Sequence, residues 1–249
     1  HKENFHIVVT DVTAAEAVLV LMGPNSRNLL SEISPNKFDN KNHPFGSAKE
    51  IEIGYGIARA HRISYVGELG WELYVGSDQA CHIFEVLREA GEKYNLSLCG
   101  LHSLDSCRIE KGYRHFGHDI TDEDHVLEAG LGFAVKKEKE DFIGKDAVIK
   151  KDNKGLSKYL YQFQLEDPDL MLFHNEPIYR DGKLVSYLTS GNYGHFLGGA
   201  IGMGYIPLRE ETIESVEQSS FHIEIAGTMA KAIISSKPLY DPVSKKIKA

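Results

Sequence analysis

The chain has 249 residues, of which 42% are hydrophobic and 26% charged, and its net charge is −8. This is the composition of an ordinary globular protein that is long enough for two domains. The acidic balance excludes nucleic acid as the main partner and disfavours anionic membranes, because both require clustered cations. No run of about 18 apolar residues predicts a membrane span. Cys81, Cys99 and Cys107 lack metal-ligand spacing and suit a reducing compartment.

The first fifty residues predict a strand, a short helix and a loop. Apolar runs lie at 5–9 and 18–22, residues 23–26 open a short helix, and the Asn- and Lys-rich stretch 34–50 predicts a surface loop. The chain begins with His1 and shows no signal or transit peptide. We therefore expect a processed product or a piece of a longer chain.

Glu68 lies in a glycine-bracketed turn between two predicted strands. Residues 57–64 and 71–75 alternate with period two and predict a hairpin, and Gly67 and Gly70 allow its connection to bend sharply. A carboxylate there can accept two parallel N–H bonds from a guanidinium or from the amidine-like edge of a pterin. On the residues alone, an acidic side chain at a solvated hairpin tip is the simpler interpretation.

Two helices are predicted after the hairpin, one from Ser77 or Asp78 to Tyr94 and one from Ser103 or Asp105 to about Arg114. In the second helix Arg108 has an acidic residue three positions before it, which is typical of a surface helix with a local ion pair.

A cluster of His115, His118 and Asp119 follows that helix. Such residue types bind metals, but the two histidines are three positions apart in a predicted loop and no third or fourth ligand stands at a set spacing. We therefore expect no metal.

The final hundred residues have the pattern of a small antiparallel barrel. Lys150–Gly155 is a polar stretch that predicts a linker, which divides the chain into domains 1–150 and 151–249. Short strands with glycine turns follow it, and Asp181-Gly182 is a two-residue hairpin signal. The six predicted strands are 159–165, 177–180, 183–189, 200–206, 221–226 and 229–234.

Several motifs in order resemble one family. They include 64–72, 105–114, 117–120, 127–131, 142–145, 176–179, 188–191 and 238–242. This series resembles the aminomethyltransferase (glycine cleavage T-protein) superfamily, and especially the C-terminal folate region of sarcosine and dimethylglycine dehydrogenases. The resemblance implies an α+β fold, part of the three-lobed aminomethyltransferase folate-binding fold with a C-terminal antiparallel β-barrel. Residues 1–150 would then be an N-terminally truncated folate-binding region.

The resemblance also implies a tetrahydrofolate site. The family's pterin-contacting glutamate matches Glu68, while Tyr65 and Trp71 flank it and either pack on the pterin ring or belong to the core. Arg108 matches the second arginine of the family's helix, as a cofactor-binding or ion-pairing residue. Leu104 stands where T-proteins carry an arginine that meets the carboxylates of folate.

The activity implied is capture of a one-carbon unit by tetrahydrofolate after an N-methyl amine has been oxidised by FAD in an N-terminal domain outside this sequence. The family's acid–base aspartate lies ahead of anything that matches 1–25, so no catalytic residue is identified. The implied partner is the N-terminal part of the same protein or another chain. The implied location is the bacterial cytoplasm or the mitochondrial matrix.

Two other functions stay open. One is a non-catalytic module like the regulatory subunit of pyruvate dehydrogenase phosphatase, which has the same layout. The other is a folate-dependent demethylase that acts without flavin.

Overall fold

The computed structural model describes residues 4–249, which form two compact units. The first unit, called unit 1, consists of the residues up to Cys99 together with Ser244–Ala249. The second, called unit 2, is Gly100–Val243. None of the helices in the described part of the chain has the length and apolar character needed to cross a bilayer.

Unit 1 is a four-stranded antiparallel sheet with two helices. The sheet order is β1-β4-β3-β2. The strands and helices are β1 (Glu16–Met22), α1 (Ser26–Ile33), β2 (Ala48–Ile53), β3 (Gly56–His61), β4 (Gly70–Gly76) and α2 (Ala80–Gly91). The predicted hairpin is confirmed, because β3 and β4 pair antiparallel with Ala58 opposite Val75. Two predicted boundaries differ from the structure. The predicted loop 34–50 ends earlier, because β2 begins at Ala48, and the helix predicted from Ser77 or Asp78 begins at Ala80.

The two faces of this sheet differ in burial. Trp71, Leu73 and Val75 of β4 lie in the core cluster that also contains side chains from α1 and α2. The opposite face carries exposed apolar side chains, including Val18 and Val20 of β1. The period-two alternation of the strands therefore places one apolar set inside and leaves another outside.

Unit 2 is built around a closed barrel. The strands are β5 (Lys158–Leu165), β6 (Pro177–Arg180), β7 (Lys183–Gly194), β8 (Gly199–Pro207), β9 (Phe221–Ile225) and β10 (Thr228–Ser235), in the order β10-β5-β8-β7-β6-β9. The helices are α3 (Leu101–Glu110), α4 (Lys145–Lys154) and α5 (Ile213–Val216). All six predicted strands are present, so the barrel prediction is confirmed.

The predicted linker at 150–155 is wrong in its structure. Most of it belongs to α4, which ends where Gly155 adopts a φ of 86°. A polar helix with one solvated face has the same composition as a linker, which explains the error. The proposed domain boundary at 150 stays a prediction.

Candidate functional site

The turn that carries Glu68 is anchored at its end. The Leu69 carbonyl accepts hydrogen bonds from the backbone of Gly23 at 2.8 Å and from the Ser26 hydroxyl at 3.1 Å. Gly67 has a φ of 79°, a conformation that glycine adopts at little cost. A Cβ on Gly70 would lie 2.5 Å from the Leu21 carbonyl oxygen. The end of the turn is therefore fixed by contacts with the end of β1 and the start of α1.

Glu68 itself is partly buried and ion-paired. The Lys246 ammonium lies 3.1 Å from Glu68 Oε1, and the two side chains are 44% and 26% exposed. Tyr65 is half-buried in the same turn. Glu68 is thus not the freely solvated hairpin tip that the residues alone favoured, and its role as a pterin ligand stays a prediction.

Trp71 lies in the core of unit 1. Its ring packs edge-on against Phe38 at 5.6 Å and near His43 at 5.9 Å, and the guanidinium groups of Arg27 and Arg62 lie 5.9 and 5.7 Å from its centroid. The side chain is fully buried. Trp71 therefore supports β4 from inside, as the core alternative expected, and a direct contact with a ligand stays a prediction.

A second carboxylate, which the sequence analysis did not single out, lies on the open face of the sheet. Glu72 Oε2 accepts a hydrogen bond of 3.0 Å from the Tyr74 hydroxyl. That bond, together with burial, raises the pKa of Tyr74. The Tyr74 ring lies 4.6 Å from the ring of His61 and 5.1 Å from the guanidinium carbon of Arg59. This cluster, Glu72 with Tyr74, His61 and Arg59, is called the open-face cluster below.

The sequence predicts two of the four members of this cluster to lie on one face of the sheet. Strand alternation in β4 places Glu72 and Tyr74 on the face opposite Trp71. The neighbours from β3 follow only from the register, in which His61 lies opposite Glu72 and Arg59 opposite Tyr74.

Arg108 forms a buried ionic network in unit 2. The guanidinium bonds to Asp105 Oδ1 at 2.7 Å, to Asp119, and to the Ser190 hydroxyl at 2.9 Å. Asp119 also accepts the Thr189 hydroxyl at 2.6 Å. The Arg108 side chain is only 2% exposed and its charge is paired. This geometry fits the ion-pairing role, and cofactor binding by Arg108 stays a prediction.

Asp119 also accepts a hydrogen bond of 2.9 Å from the backbone N–H of His115, and its side-chain partners belong to this network rather than to the imidazoles of His115 and His118. The two imidazole rings lie 4.5 Å apart at the surface. Among residues 4–249 no group of three or more His, Cys, Asp or Glu side chains is arranged to hold a metal ion.

A surface hollow of about 320 Å³ lies above the Arg108 network. Exposed histidines line its rim, and Arg108 and Ser190 lie at its floor. These histidines are His102, His115, His118 and His174. Because the charges at the floor already pair with each other, the hollow offers a polar surface without an unpaired charge.

Comparison with known proteins places this geometry in context. Residues 1–139 match the model of the GCVT N-terminal domain, and residues 158–241 match that of the glycine cleavage T-protein C-terminal barrel domain. The chain is 39% identical over 241 residues to 4-methylaminobutanoate oxidase (formaldehyde-forming) of Paenarthrobacter nicotinovorans, covering 96% of this chain and 29% of that protein. It is 30% identical over 252 residues to mitochondrial sarcosine dehydrogenase of Mus musculus, covering 99% of this chain and 27% of that protein.

A solved structure shares the fold. Aminomethyltransferase T of the glycine cleavage system from Bartonella henselae superposes with a TM-score of 0.77 at 24% identity, covering 91% of this chain and 60% of that one. The chain spans less than a third of the length of the two enzymes above.

Proposed function

Since the chain belongs to the glycine cleavage T-protein (GCVT) family, we propose that it is the folate-binding, one-carbon-accepting region of a flavin-dependent N-methyl amine dehydrogenase. In this proposal tetrahydrofolate takes up the carbon of an oxidised N-methyl group and becomes 5,10-methylene-tetrahydrofolate. The names of the two relatives, an oxidase of a methylamino acid and a sarcosine dehydrogenase, support this substrate class.

The observation that carries the proposal is the Glu68 carboxylate on its anchored turn. A carboxylate held in one orientation can pair with the ring N–H and the exocyclic amine of a pterin, and such charge-assisted pairs are strong. The half-buried Tyr65 lies three residues before it on the same turn. The turn would thus orient the pterin, and the order of its backbone would lower the entropy lost on binding.

The open-face cluster also presents a carboxylate that could pair with a pterin edge. Glu72 is half-buried, and the Tyr74 and His61 rings beside it offer flat surfaces on which an aromatic ring can stack. Glu68 and Glu72 are four positions apart in the sequence. The experiment below therefore tests both.

FAD does not fit the part of the chain that the structure describes. The dinucleotide fold needs parallel strands joined by a crossover helix, with phosphates at the start of that helix. The strands of both sheets in residues 4–249 pair antiparallel. In this proposal the oxidation that FAD supplies therefore belongs to another part of a longer protein.

Tetrahydrofolate binding to the 249-residue chain tests the proposal. Titration calorimetry under anaerobic conditions would compare the native chain with Glu68→Gln and Glu72→Gln. We expect the substitution of the pterin-binding carboxylate to raise the dissociation constant about ten- to a hundredfold, because it removes a charged hydrogen-bond acceptor.

Glu50→Gln is the matched control, since Glu50 is an exposed glutamate of the same sheet. It should leave the affinity unchanged. Loss of affinity only in Glu72→Gln would assign the pterin site to the open-face cluster instead of the Glu68 turn. Absence of tetrahydrofolate binding in the native chain would contradict the proposal and favour the non-catalytic alternative.

A further inference from the structure

Residues 244–249 fold onto unit 1, although the rest of the chain from Gly100 onward belongs to unit 2. The Ile247 side chain is 4% exposed in this segment, while its neighbours are solvent-exposed. One buried side chain in a short polar segment indicates that the segment is anchored rather than loosely attached.

Two arginines of unit 1 hold the backbone of this segment. The Arg27 and Arg62 guanidinium groups each donate to the Ala249 main-chain oxygen at 2.7 Å. Arg62 is almost fully buried and also donates to the His43 carbonyl and to Asn40 Oδ1. Because the donor is fixed by these other bonds, the position of the backbone at 249 is fixed as well.

Lys246 reaches from this segment to the Glu68 turn. Its ammonium donates to Glu68 Oε1 at 3.1 Å. A surface ion pair usually contributes little, because two long side chains must be ordered. Here Ile247 and the bonds to Ala249 fix the backbone on one side of Lys246, so that part of this ordering is already achieved.

We propose that residues 246–249 form a clasp on the Glu68 turn and that Lys246 is a positioning residue that orients the Glu68 carboxylate for its ligand. The clasp is a property of unit 1 alone, whereas its effect on tetrahydrofolate rests on the proposed function. By holding one carboxylate oxygen, the ammonium limits rotation of the carboxylate plane, which a bidentate partner requires to be fixed.

Three variants separate this role from a general loss of charge. Lys246→Met removes the ammonium and keeps an unbranched, flexible side chain that is one atom shorter. Lys246→Arg restores a cation that can reach a carboxylate. Lys248→Met removes one positive charge from an exposed residue of the same segment and serves as the control.

Hydrogen exchange of the ligand-free 249-residue chain tests the clasp without folate. We expect the amides of 64–70 to exchange about two- to fivefold faster in Lys246→Met, the factor that a partly exposed ion pair provides. Lys246→Arg should restore the native rate and Lys248→Met should not change it. Equal exchange in Lys246→Met and the native chain would overturn the clasp.

Tetrahydrofolate affinity tests the positioning role. Lys246→Met should raise the dissociation constant about two- to fivefold, with rescue by Lys246→Arg. Tighter binding in Lys246→Met would show that Lys246 competes with the ligand and would overturn the proposal. Faster exchange together with an unchanged affinity, or with no binding in any variant, would confirm the clasp and overturn the positioning role. The absence of binding would in addition count against the proposed function.

Discussion

The sheets of unit 1 and unit 2 differ in how their apolar faces are shielded from solvent. The barrel of unit 2 closes on itself, so that its inner face is a continuous apolar core and its strands leave no free edge. The sheet of unit 1 is open, with helices on one face and exposed side chains such as Val18 and Val20 on the other. A closed barrel is complete by itself, whereas an open sheet offers a surface for recognition.

The ionic groups of the two units that were described above differ in how deeply they are buried. In unit 2 Arg108 and Asp119 are buried and hydrogen-bonded to each other and to neighbouring hydroxyls. In unit 1 the carboxylates of Glu68 and Glu72 are half-buried. Buried, paired charges satisfy one another, whereas a partly exposed carboxylate on an ordered backbone can bind a ligand while one of its oxygens keeps its protein partner.

The largest effect should come from breaking the network of unit 2. Arg108→Met leaves the carboxylate of Asp119 buried without its cation, so we expect the free energy of unfolding to fall by about 3–5 kcal/mol. Urea unfolding followed by far-ultraviolet circular dichroism would measure it.

Arg88→Met is the matched control, because Arg88 pairs with Glu85 at 2.7 Å on the exposed surface of α2. It should change stability by about 0.5 kcal/mol or less. Similar losses for the two variants would contradict the contrast between a buried and an exposed ion pair.

A second effect concerns acid stability in unit 2. Burial alone would raise the pKa of Glu128, but hydrogen bonds from Lys151 and Ser157 outweigh it and hold the pKa at about 2. Because the folded pKa lies below the ordinary value, Glu128 stabilises the protein above about pH 4.5 and this contribution disappears as the pH falls toward 2. In Glu128→Gln the free energy of unfolding should fall by about 3 kcal/mol at neutral pH. The same quantity, measured by urea unfolding, should then depend less on pH between about 4.5 and 2 than in the native chain. The same pH dependence of the free energy of unfolding in the variant and the native chain would refute this.

A smaller effect should appear in unit 1 at milder pH. Burial, together with the nearby charges of Lys49 and Arg62, lowers the pKa of His43. The neutral ring is therefore favoured in the folded state, and unit 1 should lose stability as the pH falls below the ordinary histidine value of about 6.5. Trp71 is the single tryptophan of the chain and packs near His43, so its fluorescence follows unit 1.

His43→Phe keeps an aromatic ring against Phe38 and removes the titrating group. Urea midpoints at about pH 7.5 and about pH 5.5 should differ for the native chain and coincide for the variant. The same decrease in both chains would assign the pH dependence to other groups.

Much of the fold was predictable from local patterns. The barrel strands follow from apolar runs separated by glycine turns, and the hairpin around Glu68 follows from period-two alternation and two glycines. The start of α2 at Ala80 and the helical character of 150–154 were not predicted, since α2 begins after Gln79 without a side-chain cap and the second half of α4 is polar throughout. The start of α2 lacks a capping signal, and the second half of α4 lacks the apolar stripe, on which prediction of a helix depends.

The sequence by itself determined the family, the barrel and the turn that presents Glu68, because these depend on residues close together in the chain. Only the tertiary structure decided what each side chain meets. Trp71 is a core residue, Arg108 pairs with Asp119, and Lys246 reaches Glu68 across 178 positions of sequence. Contacts between residues so far apart depend on strand register and on the path of the chain, which local periodicity does not encode.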